Sequence, residues 1–253
     1  MNAVPGRLGP GLALAWWSGR GKPPLARRDL VVVTGLGFCG YYLASFLDFA
    51  GLQYITASLE RLILYLNPTI VLLLGWLLFG QRVSTRQALA LAVSYAGVLL
   101  VFGHEVRLSG TDSALGAALV FGSALSYAVY LVYSGKEVQR LGALRLTGWA
   151  TSVACVLCIA QFLLLRPLSA ALVAPAVVGL SVLNATLCTF APVLMVMMAI
   201  ERIGATLTAQ TGMIGPVSTI VMGVLILGEP MNAWVVAGTV LVLLGVWLLA
   251  RAR

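Results

Sequence analysis

The chain alternates long apolar stretches with short breaks rich in Gly, Pro or polar residues. Eight stretches are long enough for a membrane-crossing helix: 30–52, 55–79, 86–103, 113–134, 147–165, 173–199, 204–227 and 232–250. About 20 predominantly apolar residues carry an α-helix across a bilayer. The breaks are brief: Gly80–Thr85 (GQRVST), Gly228–Met231 (GEPM) and a longer Gly135–Leu146, none with room for a soluble domain. Gly suits the position just past a helix end and Pro cannot continue a helix, so such breaks are natural stops. The pattern predicts an all-α fold, a polytopic membrane helix bundle of about eight transmembrane helices, with residues 1–253 as a single integral membrane domain. The start of the chain differs. Leu8–Trp17 is apolar but too short to span, and Ser18–Asp29 is basic and rich in Gly and Pro. Pro10 interrupts the apolar run and no small-residue cleavage site follows, which argues against a secretory signal. The segment is expected to be the last part of a helix whose beginning is missing.

One stretch is echoed. Ile55–Leu100 returns as Ile203–Leu248 at a constant offset of 148 residues, placing Ala57 on Ala205, Pro68 on Pro216, Gly75 on Gly223, Gly80 on Gly228 and Gly97 on Gly245. Leu and Val coincide by chance in so apolar a chain, whereas a Pro and three Gly at one offset do not. Two related halves are a mark of many transporters.

Charge placement sets the orientation. With the N-terminus inside, Arg7, Arg20, Lys22, Arg27, Arg28, Arg82, Arg86, Lys136, Arg140, Arg145, Arg202, Arg251 and Arg253 are cytoplasmic, only Arg107 and Arg166 are outside, and Arg61 lies within a span. This is the positive-inside distribution, and it puts both termini in the cytoplasm of a multi-pass protein of the cell membrane. The same map makes the echo inverted, because five spans separate its copies. Inverted halves can expose a central site to either side in turn; a rigid scaffold built by duplication is the competing outcome.

Composition agrees. The chain is 60% hydrophobic and 9% charged, against roughly 25% charged in ordinary soluble domains, so lipid must face much of it. The net charge of +8 is explained by topology, and no nucleic acid is expected as a partner. Cys39, Cys155, Cys158 and Cys188 all lie in apolar runs and read as small buried hydrophobes. Cys155 and Cys158 form a C-x-x-C, but with His104 as the sole histidine there is no second ligand pair, so no metal or other cofactor is expected.

Ionisable groups inside a span are functional candidates by default. Asp48, Glu60 and Arg61 qualify, all at similar depth near the outer side. Successive helix residues point about 100° apart, so Glu60 and Arg61 are not expected to face one partner; Asp48 is expected to pair with Arg61, and Arg61 or Glu60 to face the central cavity. A structural ion pair and a substrate-binding or gating role are both open. Asn67-Pro68 and Gly215-Pro216 sit near mid-helix, where a proline frees a carbonyl, tolerated in a bilayer beside protein or a wet cavity; a hinge or cavity-lining position and a structural kink are all open. Tyr127, Tyr130 and Tyr133 recur on one helix face, as packing or cavity lining. Tyr42, Asn184 and Gln210 are further substrate-binding or gating candidates, with Tyr41 and Gln161 weaker. Gly35, Gly37, Gly40, Gly212, Gly215 and Gly223 are expected to allow close helix packing.

The residues of Leu52–Leu100, with their Ala-rich entry, mid-helix Pro and Gly80-Gln81, resemble the first EamA repeat of the drug/metabolite transporter superfamily; Ala199–Leu248, with Leu227-Gly228-Glu229-Pro230, resembles the second. The resemblance implies ten spans in two inverted five-helix halves, cytoplasmic termini, and export or uptake of small metabolites. It implies a first repeat over 30–104, N-terminally truncated, and a second over 112–250. The chain departs from the family in lacking the first helix and most of the second, Leu8–Trp17 being the end of helix two, and in having Gln81 where Glu is usual.

The expected function is therefore a membrane transporter moving a small organic metabolite or drug-like solute by alternating access, secondary-active because no G-x-x-x-x-G-K-[ST] motif is present for ATP. Proton coupling would fall to Asp48 or Glu60. A membrane enzyme is disfavoured by the lone loop histidine and the lack of paired carboxylates deep in the bilayer. A non-transporting truncated scaffold or degenerate copy is the alternative. The expected partners are the solute and the lipid bilayer, with a homodimer left open.

Overall fold

The structure is a computed structural model in which residues 25–80, 84–109, 111–167, 169, 174–211, 222, 225–226 and 233–251 are described. Their elements are α1 (Arg27–Gly37), a π-helical segment π1 (Phe38–Leu43), α2 (Ala44–Gly51), α3 (Ala57–Leu64), α4 (Asn67–Phe79), α5 (Thr85–Ser109), α6 (Thr111–Leu141), α7 (Ala143–Leu165), α8 (Pro175–Leu183), a second π segment π2 (Asn184–Phe190), α9 (Ala191–Ile203), α10 (Ala205–Thr211) and α11 (Ala233–Arg251).

Six helical runs among the described residues have the length and hydropathy to cross a membrane: Arg27–Gly51, Leu59–Phe79, Thr85–His104, Asp112–Leu141, Ala143–Leu165 and Pro175–Ile203. They correspond to the first six sequence-predicted spans. α11 supplies a further apolar helix where 232–250 was expected, its described apolar stretch being Val236–Leu248. Most of the expected span 204–227, with Pro216, Gly212, Gly215 and Gly223, lies outside the described residues. Outward side chains such as Leu164, 83% exposed, and Leu77, 71% exposed, suit hydrocarbon rather than water. The protein is a multi-pass membrane protein.

The described residues form two compact units, one within Met1–Leu43 and Tyr133–Ala205, the other within Ala44–Val132 and Thr206–Arg253. In the first, α1 and π1 pack on α7, and α9 packs on its other neighbours α7 and π2. Gly37 makes the α1–α7 approach possible: a Cβ there would stand 2.5 Å from the Ala150 carbonyl oxygen. Gly35, expected to do the same, has open space around it. Residues 135–146, read as a loop, are helical except at Gly142, whose φ of +82° turns the chain from α6 into α7 in a conformation that other residues rarely adopt. Lys136, Glu137 and Arg140 give this extension its polarity. Arg140 Nη2 lies 2.6 Å from both Asp29 Oδ1 on α1 and Glu137 Oε2, and the Gln139 side-chain amide donates to the Glu201 carbonyl on α9 at 2.7 Å. Three helix ends are thereby tied together.

In the second unit α5 and α11 make the most extensive contact, and glycine is the reason. A Cβ on Gly97 would lie 2.7 Å from the Gly238 carbonyl oxygen, and one on Gly245 would lie 2.8 Å from that of Ala90. As residue numbers rise on α5 they fall on α11, so the helices run antiparallel. The two contacts are also one contact repeated: adding 148 to 97 gives 245, and subtracting 148 from 238 gives 90. Corresponding helices of the echo thus meet across an approximate two-fold relation. His104 stacks on Trp234 at one end, with ring centroids 5.4 Å apart. α2 and α6 also pack closely, with Gly51 against Gly116 and the Ser123 hydroxyl donating to the Ala44 carbonyl at 2.8 Å.

Candidate functional site

Two short helices in the second unit bring the in-span charges together. α2 carries Asp48. The chain turns through residues 52–56, and Thr56 caps α3 by accepting from the Leu59 amide at 3.2 Å, so Glu60 and Arg61 fall in the first turns of α3. Glu60 is buried, at 4% exposure, while the Arg61 side chain remains 32% exposed. Arg61 Nη1 lies 3.9 Å from Glu60 Oε2. The expected Asp48–Arg61 pair is therefore not the close one: Arg61 pairs with its own neighbour, because its long flexible side chain bends across the 100° that separates the two backbone positions. Asp48 lies within hydrogen-bonding reach of the Glu60 carboxyl, with Arg61 close enough to act on its charge. Two carboxyls and one guanidinium form a single cluster.

Pro68 does not kink a continuous helix. The span is interrupted at Tyr65–Leu66, and Pro68 stands in the first turn of α4, where its missing N–H is one that no helix would pair. The break is secured locally: the Thr69 hydroxyl donates to the Leu66 carbonyl at 2.5 Å, and the Tyr65 and Leu66 amides reach back to Arg61 and Ile63 at 3.0 Å. Asp48 Oδ1, the Tyr65 hydroxyl and Asn67 Oδ1 are buried along this stretch without a protein hydrogen-bond partner. Tyr65, fully buried, was not singled out from sequence; its place between Glu60 and Asn67 was the available signal. Ile63 and Leu66 also wall a pocket of about 320 Å³, completed chiefly by Tyr95, Val98 and Phe102 of α5 and Phe121 of α6. Its volume is that of a small-molecule site.

The remaining candidates are dispersed. Tyr127 is half-buried with its ring 5.6 Å from that of Tyr130, and Tyr133 is 41% exposed, so the tyrosine stripe is not uniformly buried. Tyr42 belongs to π1, its ring 5.8 Å from Phe38. Asn184 opens π2 with an exposed side chain. Gln210 lies on α10, its side chain outside the described residues, as is Pro216.

A bundle of apolar helices with a charged cluster in its spans, broken helices and corresponding antiparallel elements defines a polytopic membrane protein of transporter type. The profile of the EamA-like transporter family matches the chain twice, over residues 8–103 and 114–251, and the chain belongs to that family. It is similar to the uncharacterized transporters YcbK and YyaM of Bacillus subtilis. Identity is 30% over 235 residues for YcbK, covering 86% of this chain and 72% of that protein. For YyaM it is 26% over 228 residues, covering 89% and 74%. An uncharacterized transporter of Synechocystis, sll1319, is 25% identical over 228 residues, covering 90% of this chain and 69% of its own length. One solved crystal structure shares the fold, with a TM-score of 0.68 at 19% identity over 97% of this chain and 85% of that one.

Proposed function

We propose that this membrane transporter moves a small organic solute, a metabolite or drug-like molecule, across the cell membrane by secondary-active alternating access, with both termini cytoplasmic. The observation that carries the reading is the antiparallel meeting of α5 and α11 through Gly97–Gly238 and its counterpart Gly245–Ala90. Corresponding helices of two inverted halves meet in this way, and inverted halves exchange conformations to open a site to either side. The mixed character of the second unit fits an organic solute: an apolar pocket walled by Ile63 and Leu66 for its body, and buried polar atoms of Tyr65 and Asn67 on the same stretch of chain. The Asp48–Glu60 pair is the proton-handling element. A carboxylate only accepts hydrogen bonds, so two carboxyls bond to each other when one carries a proton, and Arg61 balances the charge when that proton leaves. The test is uptake of a metabolite panel into vesicles holding the full chain, with and without an imposed pH gradient. Gradient-driven uptake that Glu60→Gln uncouples from the gradient supports the reading. Uptake equal in Glu60→Gln and the unsubstituted chain at every gradient overturns the proton role.

A further inference from the structure

The 148-residue offset reaches beyond the echoed stretch. It carries π1, Phe38–Leu43, onto residues 186–191, which overlap π2, Asn184–Phe190. π-helix makes up well under 1% of residues in soluble proteins and collects at functional sites, so two such segments at corresponding places are not incidental. Their sequences, FCGYYL and NATLCTF, are unlike, and so are their local causes. π2 runs into Pro192, whose ring would meet the Cys188 carbonyl in a regular α-turn. The Thr189 hydroxyl donates five residues back to the Asn184 carbonyl at 3.1 Å, and that of Thr186 donates to Val182 at 2.8 Å. π1 instead contains Gly40 and follows Gly37, which lets its helix press against α7.

Within the first unit the two segments reach one small pocket. Tyr41 of π1 and Thr189 and Phe190 of π2 line it together with Thr151 and Ala154 of α7, around about 20 Å³. That is room for one water molecule and too little for an organic solute. Tyr41 and Thr189 are themselves a 148-residue pair.

We propose that π1 and π2 are a coupled pair of hinges. Each exchanges a π-turn for an α-turn, which changes the rotational register of the helix beyond it by up to about one residue's 100°. Because both segments meet α7 at one pocket, relaxing one biases the other. The Thr189 hydroxyl keeps the Asn184 carbonyl of π2 bonded during the exchange, and that of Thr186 the last carbonyls of α8, as a bilayer requires. The purpose of such a pair rests on the transport reading; its existence does not.

The native cysteines are the probes, since Cys39 lies in π1 and Cys188 in π2. In a Cys155→Ala/Cys158→Ala background, the full chain in vesicles is modified with N-ethylmaleimide and the two rates are followed separately by mass spectrometry. Pro192→Ala removes the local cause of π2 and is expected to change the rate at Cys188 and, through the coupling, at Cys39, each by at least about threefold. A change at Cys188 alone, or at neither site in an inserted protein, overturns the pair. Should Pro192→Ala fail to insert, hydrogen exchange of the unsubstituted chain decides. Both segments exchanging at least about tenfold faster than residues 147–154 of α7 supports the hinges, and protection equal to α7 overturns them. No solute is needed, so a failure here leaves the transport reading standing, and absent flux with coupling intact counts against transport alone.

Discussion

The carbonyl oxygen of Gly238 lies 2.7 Å from the point where a side chain on Gly97 would begin. No Cβ fits there without separating α5 from α11. Gly97→Leu is therefore expected to destabilise the protein by about 1–3 kcal/mol, read as a lowered melting temperature in detergent. Gly103→Ala on the same helix meets nothing within 4 Å and is expected to be neutral or to stabilise by up to about 1 kcal/mol through helix propensity. Equal effects at the two positions would contradict the assigned packing.

Arg140 joins α6 to α1 through Asp29 at 2.6 Å. Its side chain is 47% exposed, so the pair is expected to contribute little and to weaken with salt. A double-mutant cycle of Arg140→Gln and Asp29→Asn at low and high ionic strength measures this. A coupling that does not fall with salt contradicts it.

Arg61 serves the buried Glu60 carboxyl and the partly buried one of Asp48 while one third exposed. Arg61→Gln is expected to cost about 2 kcal/mol, below the 3–5 of a fully buried pair. Glu60→Gln, whose amide retains a hydrogen-bonding group for Asp48, is expected to cost under about 1 kcal/mol. Thermal melts of the two variants rank them, and the reverse order refutes the cluster as described.

At the break before α4 the proline is less important than the threonine after it. Pro68→Ala is expected to change stability by less than about 1 kcal/mol. Thr69→Val removes one of two hydrogen bonds to the Leu66 carbonyl, which keeps the Ile70 amide at 2.9 Å, and is expected to cost about 1–1.5 kcal/mol. A larger effect at Pro68 than at Thr69 would restore the mid-helix kink.

Much of this was legible because the bilayer imposes length. Apolar runs near 20 residues marked the helices, and Gly97 and Gly245 marked the repeat by recurring at one offset, although close packing was expected of other glycines. The interruptions were harder to see. Tyr65–Leu66 is apolar and aromatic, so hydropathy runs straight across the break; only Pro68 hinted at it, and the hint suggested a kink. Arg61 was assigned to Asp48 on backbone directions, which a long guanidinium side chain overrides. Neither π segment shows in hydropathy, since a π-turn is as apolar as an α-turn. Pro192 was a usable sign of the second. Arg140 was counted only as a cytoplasmic charge and Gln139 was not singled out, because a helix that leaves the membrane loses its apolar pattern without losing its hydrogen bonds.

Solute flux is the decisive property of a transporter built from inverted halves. The purified 253-residue chain is reconstituted into sealed vesicles, and uptake of a labelled panel of amino acids, nucleosides and organic cations is compared with that of protein-free vesicles. Saturable uptake of at least one compound is expected, abolished when Gly97→Leu separates α5 from α11. Passive, unsaturable entry of every compound at the protein-free rate, from a chain that is inserted and folded, would contradict it.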